Sequence, residues 1–125
     1  MQITAPTTAA HAPRIASLYT AVDALDEAGV VEHVTEDVQF QLGNFEQIDG
    51  RTAVQAANAG FFATIQGMQH TITGIWSSGD TAFCDGTVHY TRKDQSTHDV
   101  RFAARFNFRE DRIADYRVYV DISGL

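Results

Sequence analysis

The sequence predicts an α+β domain in which N-terminal helices pack on one face of a curved, mostly antiparallel sheet and enclose a cavity. Three observations carry that expectation. Ile15, Leu18, Val22 and Leu25 recur at spacings of three and four, the stripe of an amphipathic helix. Val54, Ala57, Phe61 and Ile65 repeat the pattern further on. From Met68 almost to the end, alternating segments are separated by tight-turn signals, as in a meander. Helices first and strands last is the order of a sheet covered on one side.

Residues 1–11 are small, polar and proline-containing and read as a flexible lead-in, so the expected domain spans residues 12–125. Pro13 suits a first helical turn, where its missing N–H costs nothing. Gly29 ends that helix, and Val30, Val31 and Val34 suggest one further turn. Asp37 to Leu42 alternates polar and apolar like a half-buried strand. Gly43-Asn44 and Asp49-Gly50 punctuate a loop, and a second long helix runs from Thr52 to Ile65, stopped by Gly67. Four strands follow, Met68–Ser77, Thr81–Arg92, Thr97–Phe108 and Arg112–Ile122, joined at Ser78-Gly79-Asp80, Lys93–Ser96 and Arg109-Glu110-Asp111.

Composition narrows the function. With 125 residues the chain makes one domain, and 44% apolar residues suffice for a core. Sixteen acidic against nine basic side chains leave a net charge of −7, which argues against a nucleic-acid partner or an anionic membrane surface. No basic residue precedes an apolar stretch at the N-terminus, so no secretory leader is expected and a cytoplasmic location is. Cys84 is the lone cysteine, which excludes an internal disulfide. It alternates with Ala82, Gly86 and Val88 as a small buried packer would. No ligand spacing supports a metal, and no glycine-rich phosphate loop or nucleophile elbow is present.

Among polar residues, His70 opens the first meander strand and His89 lies late in the second. The hairpin between them brings both to one open end as cross-strand neighbours, where two imidazoles can divide general-base and general-acid roles. On that reading Trp76 and Phe83 form an apolar wall. The alternative is a strand-end surface position for His70 and a solvent-side place in the alternation for His89.

The segments Leu18-Tyr19, Leu25-Asp26, Val34–Val38, Ile48–Val54, Gln69–Ile72 and Asp111–Asp121 together resemble the nuclear transport factor 2-like superfamily, in its SnoaL-like branch, over about residues 12–123. The resemblance implies that superfamily's cone-like fold, which hosts isomerases, dehydratases, cyclases and epoxide hydrolases as well as non-catalytic binding modules. Within it, the scytalone dehydratases are similar in placing an Asp on the first helix and histidines on two adjacent strands. Asp23, His70 and His89 fall at those places, with Asp23 orienting an imidazole. A tyrosine those enzymes carry on the first strand corresponds to Leu42, taken here as a substrate-contacting position. Asp121 falls where SnoaL-like cyclases and limonene epoxide hydrolases hold a catalytic Asp. At an apolar cavity mouth its pKa would rise. Tyr19 flanks the core stripe and would position a ligand. The resemblance implies a cofactor-independent acid–base enzyme acting beside a carbonyl of a small hydrophobic molecule, and a homodimer through the sheet face bearing Arg101, Arg105, Asn107, Arg117 and Tyr119.

Overall fold

A computed structural model describes all 125 residues, in the order β1 (Gln2–Ile3), α1 (Ala12–Asp23), α2 (Glu27–Val31), β2 (Val34–Leu42), β3 (Ile48–Asp49), α3 (Arg51–Phe62), β4 (Gly67–Ser78), β5 (Thr81–Thr91), β6 (Thr97–Arg109) and β7 (Arg112–Val120). The strands form one open sheet in the order β1-β4-β5-β6-β7-β2-β3. Its centre, β4 to β7, is the antiparallel meander, while β2 joins β7 in parallel and so brings the N-terminal half back beside the C-terminal strand. No helix is long and apolar enough to cross a membrane.

One face of this curved sheet carries the core. Ile15, Leu18, Tyr19 and Val22 of α1 and Val54 and Phe62 of α3 pack against Ile72, Val88, Phe102, Phe106, Ile113 and Tyr116, all buried. The strict alternation of Phe102, Ala104, Phe106 and Phe108 on β6 supplies the middle of that floor. Such apolar burial, at about 25 cal/mol per Å², is the dominant favourable term in folding.

Residues 1–11 are not the loose lead-in expected from their composition. Gln2 and Ile3 pair in parallel with Thr71 and Ile72, and the Thr4 N–H donates to the Ile72 carbonyl at 2.9 Å, so the segment covers the edge of β4. An open strand edge presents unpaired N–H and C=O groups that even a two-residue strand can satisfy, and this gain does not show in hydrophobic pattern.

A bulge in β4 decides which side chains face inward. Register passes from Ile72↔Gly86 to Gly74↔Asp85, leaving Thr73 as the extra residue. Before the bulge, Met68, His70 and Ile72 are buried; after it, Ile75 is buried and Trp76 is 57% exposed. Trp76 therefore does not line a cavity wall with His70. It lies on the outer face over Gly74, where an added Cβ would come within 2.1 Å of the indole. Phe83, its direct cross-strand partner, is 45% exposed on the same outer face and is likewise removed from the cavity.

Gly86 opposes the bulge so closely that a Cβ there would fall 1.9 Å from the Thr71 carbonyl oxygen. Backbone cannot yield as a flexible side chain does. Gly86→Ala should destabilise the fold by about 1–3 kcal/mol or more, read as a lower urea midpoint, whereas alanine at the open Gly67 should not.

Candidate active site

Where α3 diverges from the sheet, it leaves an apolar cleft of about 800 Å³. Phe40, Leu42 and Ile48 line one wall, Phe61 and Ile65 another, and Ile122 and Leu125 of the C-terminal segment close a third. Arg92 holds that segment in place: its guanidinium donates to the carbonyls of Gly124 and Leu125 at 2.9 and 3.2 Å. Beneath the cleft lies a chamber of about 50 Å³ lined by Tyr19, Asn58, His70, Tyr90, Phe102 and Tyr116 among others. Phe40, Leu42, Asn58 and Phe61 border both spaces and form the neck between them.

The chamber's imidazole, His70, is held from behind by Asp23. Asp23 is the last residue of α1, on the flank of the buried stripe, and its side chain is only 9% exposed. Its two oxygens have separate tasks. Oδ2 accepts the backbone N–H of His70 at 2.8 Å, and Oδ1 lies 2.6 Å from His70 Nδ1. The Met1 ammonium adds a third contact at 3.3 Å. A buried carboxylate requires such partners, because desolvation otherwise makes its charge too costly. Since Nδ1 faces a carboxylate, it carries the proton, and the lone pair of the neutral ring sits on Nε2. Tyr19 and Phe102 fix the ring orientation, at centroid separations of 4.6 and 5.0 Å.

Three tyrosines surround this pair. The Tyr116 hydroxyl donates to that of Tyr19 at 3.0 Å. Burial pushes both phenols well above the ordinary range, so they stay neutral. Burial, with a smaller contribution from the nearby Asp23 charge, pushes Tyr90 up to about 12. Behind Tyr19, the Cys84 thiol is pushed up to about 12, again mainly by burial.

His70, Tyr19 and Leu42 thus line one chamber, and Asp23 stands behind His70, bonded to it but not lining the space. His89 does not line it. His70 opposes Val88, and His89 opposes Gln69, so the two histidines are neighbours along the hairpin but point to opposite faces. The His89 side chain is 51% exposed and its Nδ1 lies 2.6 Å from Asp99 Oδ1 on the outer face. Asp121 is also outside, just past the end of β7, where its carboxylate accepts the Ser123 N–H at 3.0 Å. That hydrogen bonding lowers its pKa, opposite to the rise expected of a desolvated carboxylate. No group of three or more His, Cys, Asp or Glu side chains could hold a metal ion. Asn58, Tyr90 and Tyr116 were absent from the sequence-derived set. Tyr90 had a signal, because it continues the parity of Cys84, Gly86 and Val88, and that is the inward one.

Comparison with known proteins gives one family and many structures. The SnoaL-like domain model matches residues 15–116. No curated protein matches the sequence. A protein of ketosteroid isomerase-like fold from Catenulispora acidiphila, bound to trimethylamine, superimposes with a TM-score of 0.81 at 17% identity over 88% of this chain and 86% of its own. TerC bound to polyporic acid gives 0.79 at 17% identity, over 90% and 92%. An LEH-like epoxide hydrolase of M. tuberculosis gives 0.76 at 16% identity, over 88% and 81%. At these identities the likeness establishes the cone-like fold.

The buried thiol and phenols link stability to alkaline pH. Unfolded, Cys84 and Tyr90 lose their protons near the ordinary 9.0 and 10.0; folded, both do so only near 12. Their contribution is therefore complete below pH 9 and disappears as pH rises to about 12. Urea midpoints measured from pH 8 to 11 should fall steadily, and Cys84→Ala should flatten the early part of that slope whatever its effect at pH 8.

Proposed function

The chain belongs to the SnoaL-like domain family, and from that membership and the site geometry we propose that it is a cofactor-independent acid–base enzyme acting beside a carbonyl of a small hydrophobic, cyclic or polyketide-like molecule. The observation that carries this reading is the Asp23–His70 pair at the floor of an apolar cavity, Nδ1 held at 2.6 Å by the carboxylate and Nε2 left without a protein partner. That the similar structures hold trimethylamine and polyporic acid supports a small organic ligand.

The chemistry follows from the tautomer. His70 Nε2 removes the proton α to the substrate carbonyl, and the C–H electron pair moves onto the carbonyl oxygen as an enolate. Asp23 stabilises the imidazolium that results, as a carboxylate does when it orients a general base. In dehydration, the imidazolium then gives its proton to the β-hydroxyl, the C–O bond breaks, water leaves and the enolate collapses to an enone. In isomerisation or cyclisation the proton returns elsewhere on the same skeleton. With His89 and Asp121 on the outside, one histidine has to serve as both base and acid.

That single acid–base group favours one other reading, a non-catalytic small-ligand-binding or dimerisation module of the same fold in which Asp23 and His70 only stabilise the cavity. Both readings include a homodimer, which the exposed Trp76, Phe83 and Tyr119 on the outer sheet face support, and a cytoplasmic location.

Turnover of cyclic β-hydroxy ketones tests the choice. His70→Gln should lower kcat by about 10²–10⁴-fold, and Asp23→Asn should lower it with less effect on KM, while His89→Ala and Asp121→Asn stay near wild type. Binding without turnover in the wild type, or turnover that survives in His70→Gln, would leave only the binding module.

A further inference from the structure

We infer that the cavity takes its ligand oxygen-end first, the Tyr90 hydroxyl receiving a neutral carbonyl oxygen inside the inner chamber beside His70. This rests on the ligand site proposed above and names the class of molecule it selects.

Tyr90 is 3% exposed and lines the chamber, yet its hydroxyl makes no hydrogen bond to the protein. Its neighbours differ: the Tyr116 hydroxyl donates to that of Tyr19. The Tyr90 oxygen is not sealed in the core but open to the chamber it lines, so its O–H is free to donate to an acceptor that enters there. Register puts Tyr90 beside His70 on the face that lines the chamber. Tyr90 opposes Met68 and His70 opposes Val88, which makes the two inward side chains diagonal neighbours on adjacent strands, about 7–8 Å apart at the backbone. A carbonyl between them would meet a donor at its oxygen and a base near its α-carbon.

Size sets the orientation. A chamber of about 50 Å³ exceeds one water's share of liquid volume, about 30 Å³, and is smaller than a ring. The cleft of about 800 Å³ accommodates the apolar body. Asn58 is the one polar side chain common to both spaces; its Nδ2 donates to the Val54 carbonyl at 2.9 Å and leaves Oδ1 and a second N–H for a polar substituent at the neck. Charge sets the class. The Tyr90 phenol stays neutral, and no Lys or Arg lines the chamber to pair with the charge of an anionic ligand once it is desolvated there. The preferred end is then a ketone or quinone oxygen and not a carboxylate.

Three probes with one carbon skeleton test this on the full chain at pH 7: tetralin, 2-tetralone and tetralin-2-carboxylate, titrated by calorimetry. The wild type should bind 2-tetralone about tenfold more tightly than tetralin, and the carboxylate more weakly than the ketone. Tyr90→Phe should remove the preference for the ketone and leave tetralin affinity unchanged. A measurement on the wild type guards against misfolding of the variant: the ¹³C resonance of carbonyl-labelled 2-tetralone should move downfield on binding. Equal wild-type affinity for ketone and hydrocarbon, an unmoved carbonyl resonance, or equal losses of both ligands in Tyr90→Phe would overturn the inference. The enzymatic reading fails separately. If nothing is turned over but the ketone preference disappears in Tyr90→Phe, oxygen-first binding stands without catalysis. If His70→Gln abolishes turnover but no ketone preference exists, catalysis stands without it.

Discussion

The Asp23 carboxylate is the contact on which the site depends. One of its oxygens accepts from the backbone and the other from the imidazole of a single residue on a different element, so it sets both where β4 lies against the end of α1 and which nitrogen of His70 carries a proton. A half-satisfied carboxylate at this depth would be strongly destabilising. Position and tautomer are therefore parts of the same interaction. The Met1 ammonium and the edge strand β1 complete the enclosure, since β1 runs along β4 immediately beside His70.

The division of the sheet into two chemical faces follows from the bulge at Thr73. On its near side, even-numbered β4 positions point into the core and carry His70; beyond it the parity reverses, sending Trp76 outward. The outer face then collects Trp76, Phe83, Tyr119, the His89–Asp99 pair and the Arg117–Asp115 pair, an apolar and charged mixture suited to contact with another surface. The inner face is left with one histidine, three tyrosines and a phenylalanine floor. Such an interior suits a neutral molecule and a reaction in which charge appears only transiently.

The cavity is graded from mouth to floor. Its mouth is a mixed-charge rim where Arg92 pins the C-terminal segment, its middle is aliphatic and aromatic, and its floor is polar but enclosed. Desolvation increases along that path, which is why the phenols and the thiol at the bottom hold their protons far above the ordinary range. The excess acid of the chain plays little part in this. Asp121, Asp37 and Asp94 sit exposed, each accepting hydrogen bonds at the surface, and Asp23 is drawn inside.

By itself the sequence determined the order of the main helices and the meander strands, the first helical stripe as far as Val22 and every turn of the meander, because amphipathic periodicity and turn chemistry are local properties. Asp23 became a candidate only through the family resemblance, and Leu25 and Ile65 fall past the ends of their helices. The sequence did not determine which side of β4 and β5 faces inward. A period of two specifies two faces without saying which is buried, and here both bear aromatic residues, so Trp76 and Phe83 read as core as readily as Ile75 and Tyr90. Only the tertiary structure decided that, through a one-residue bulge and the Asp23 carboxylate. The same holds for β1 and for Asp121. Backbone pairing at an open edge and the path of the chain beyond β7 depend on groups distant in sequence, and no local pattern records them.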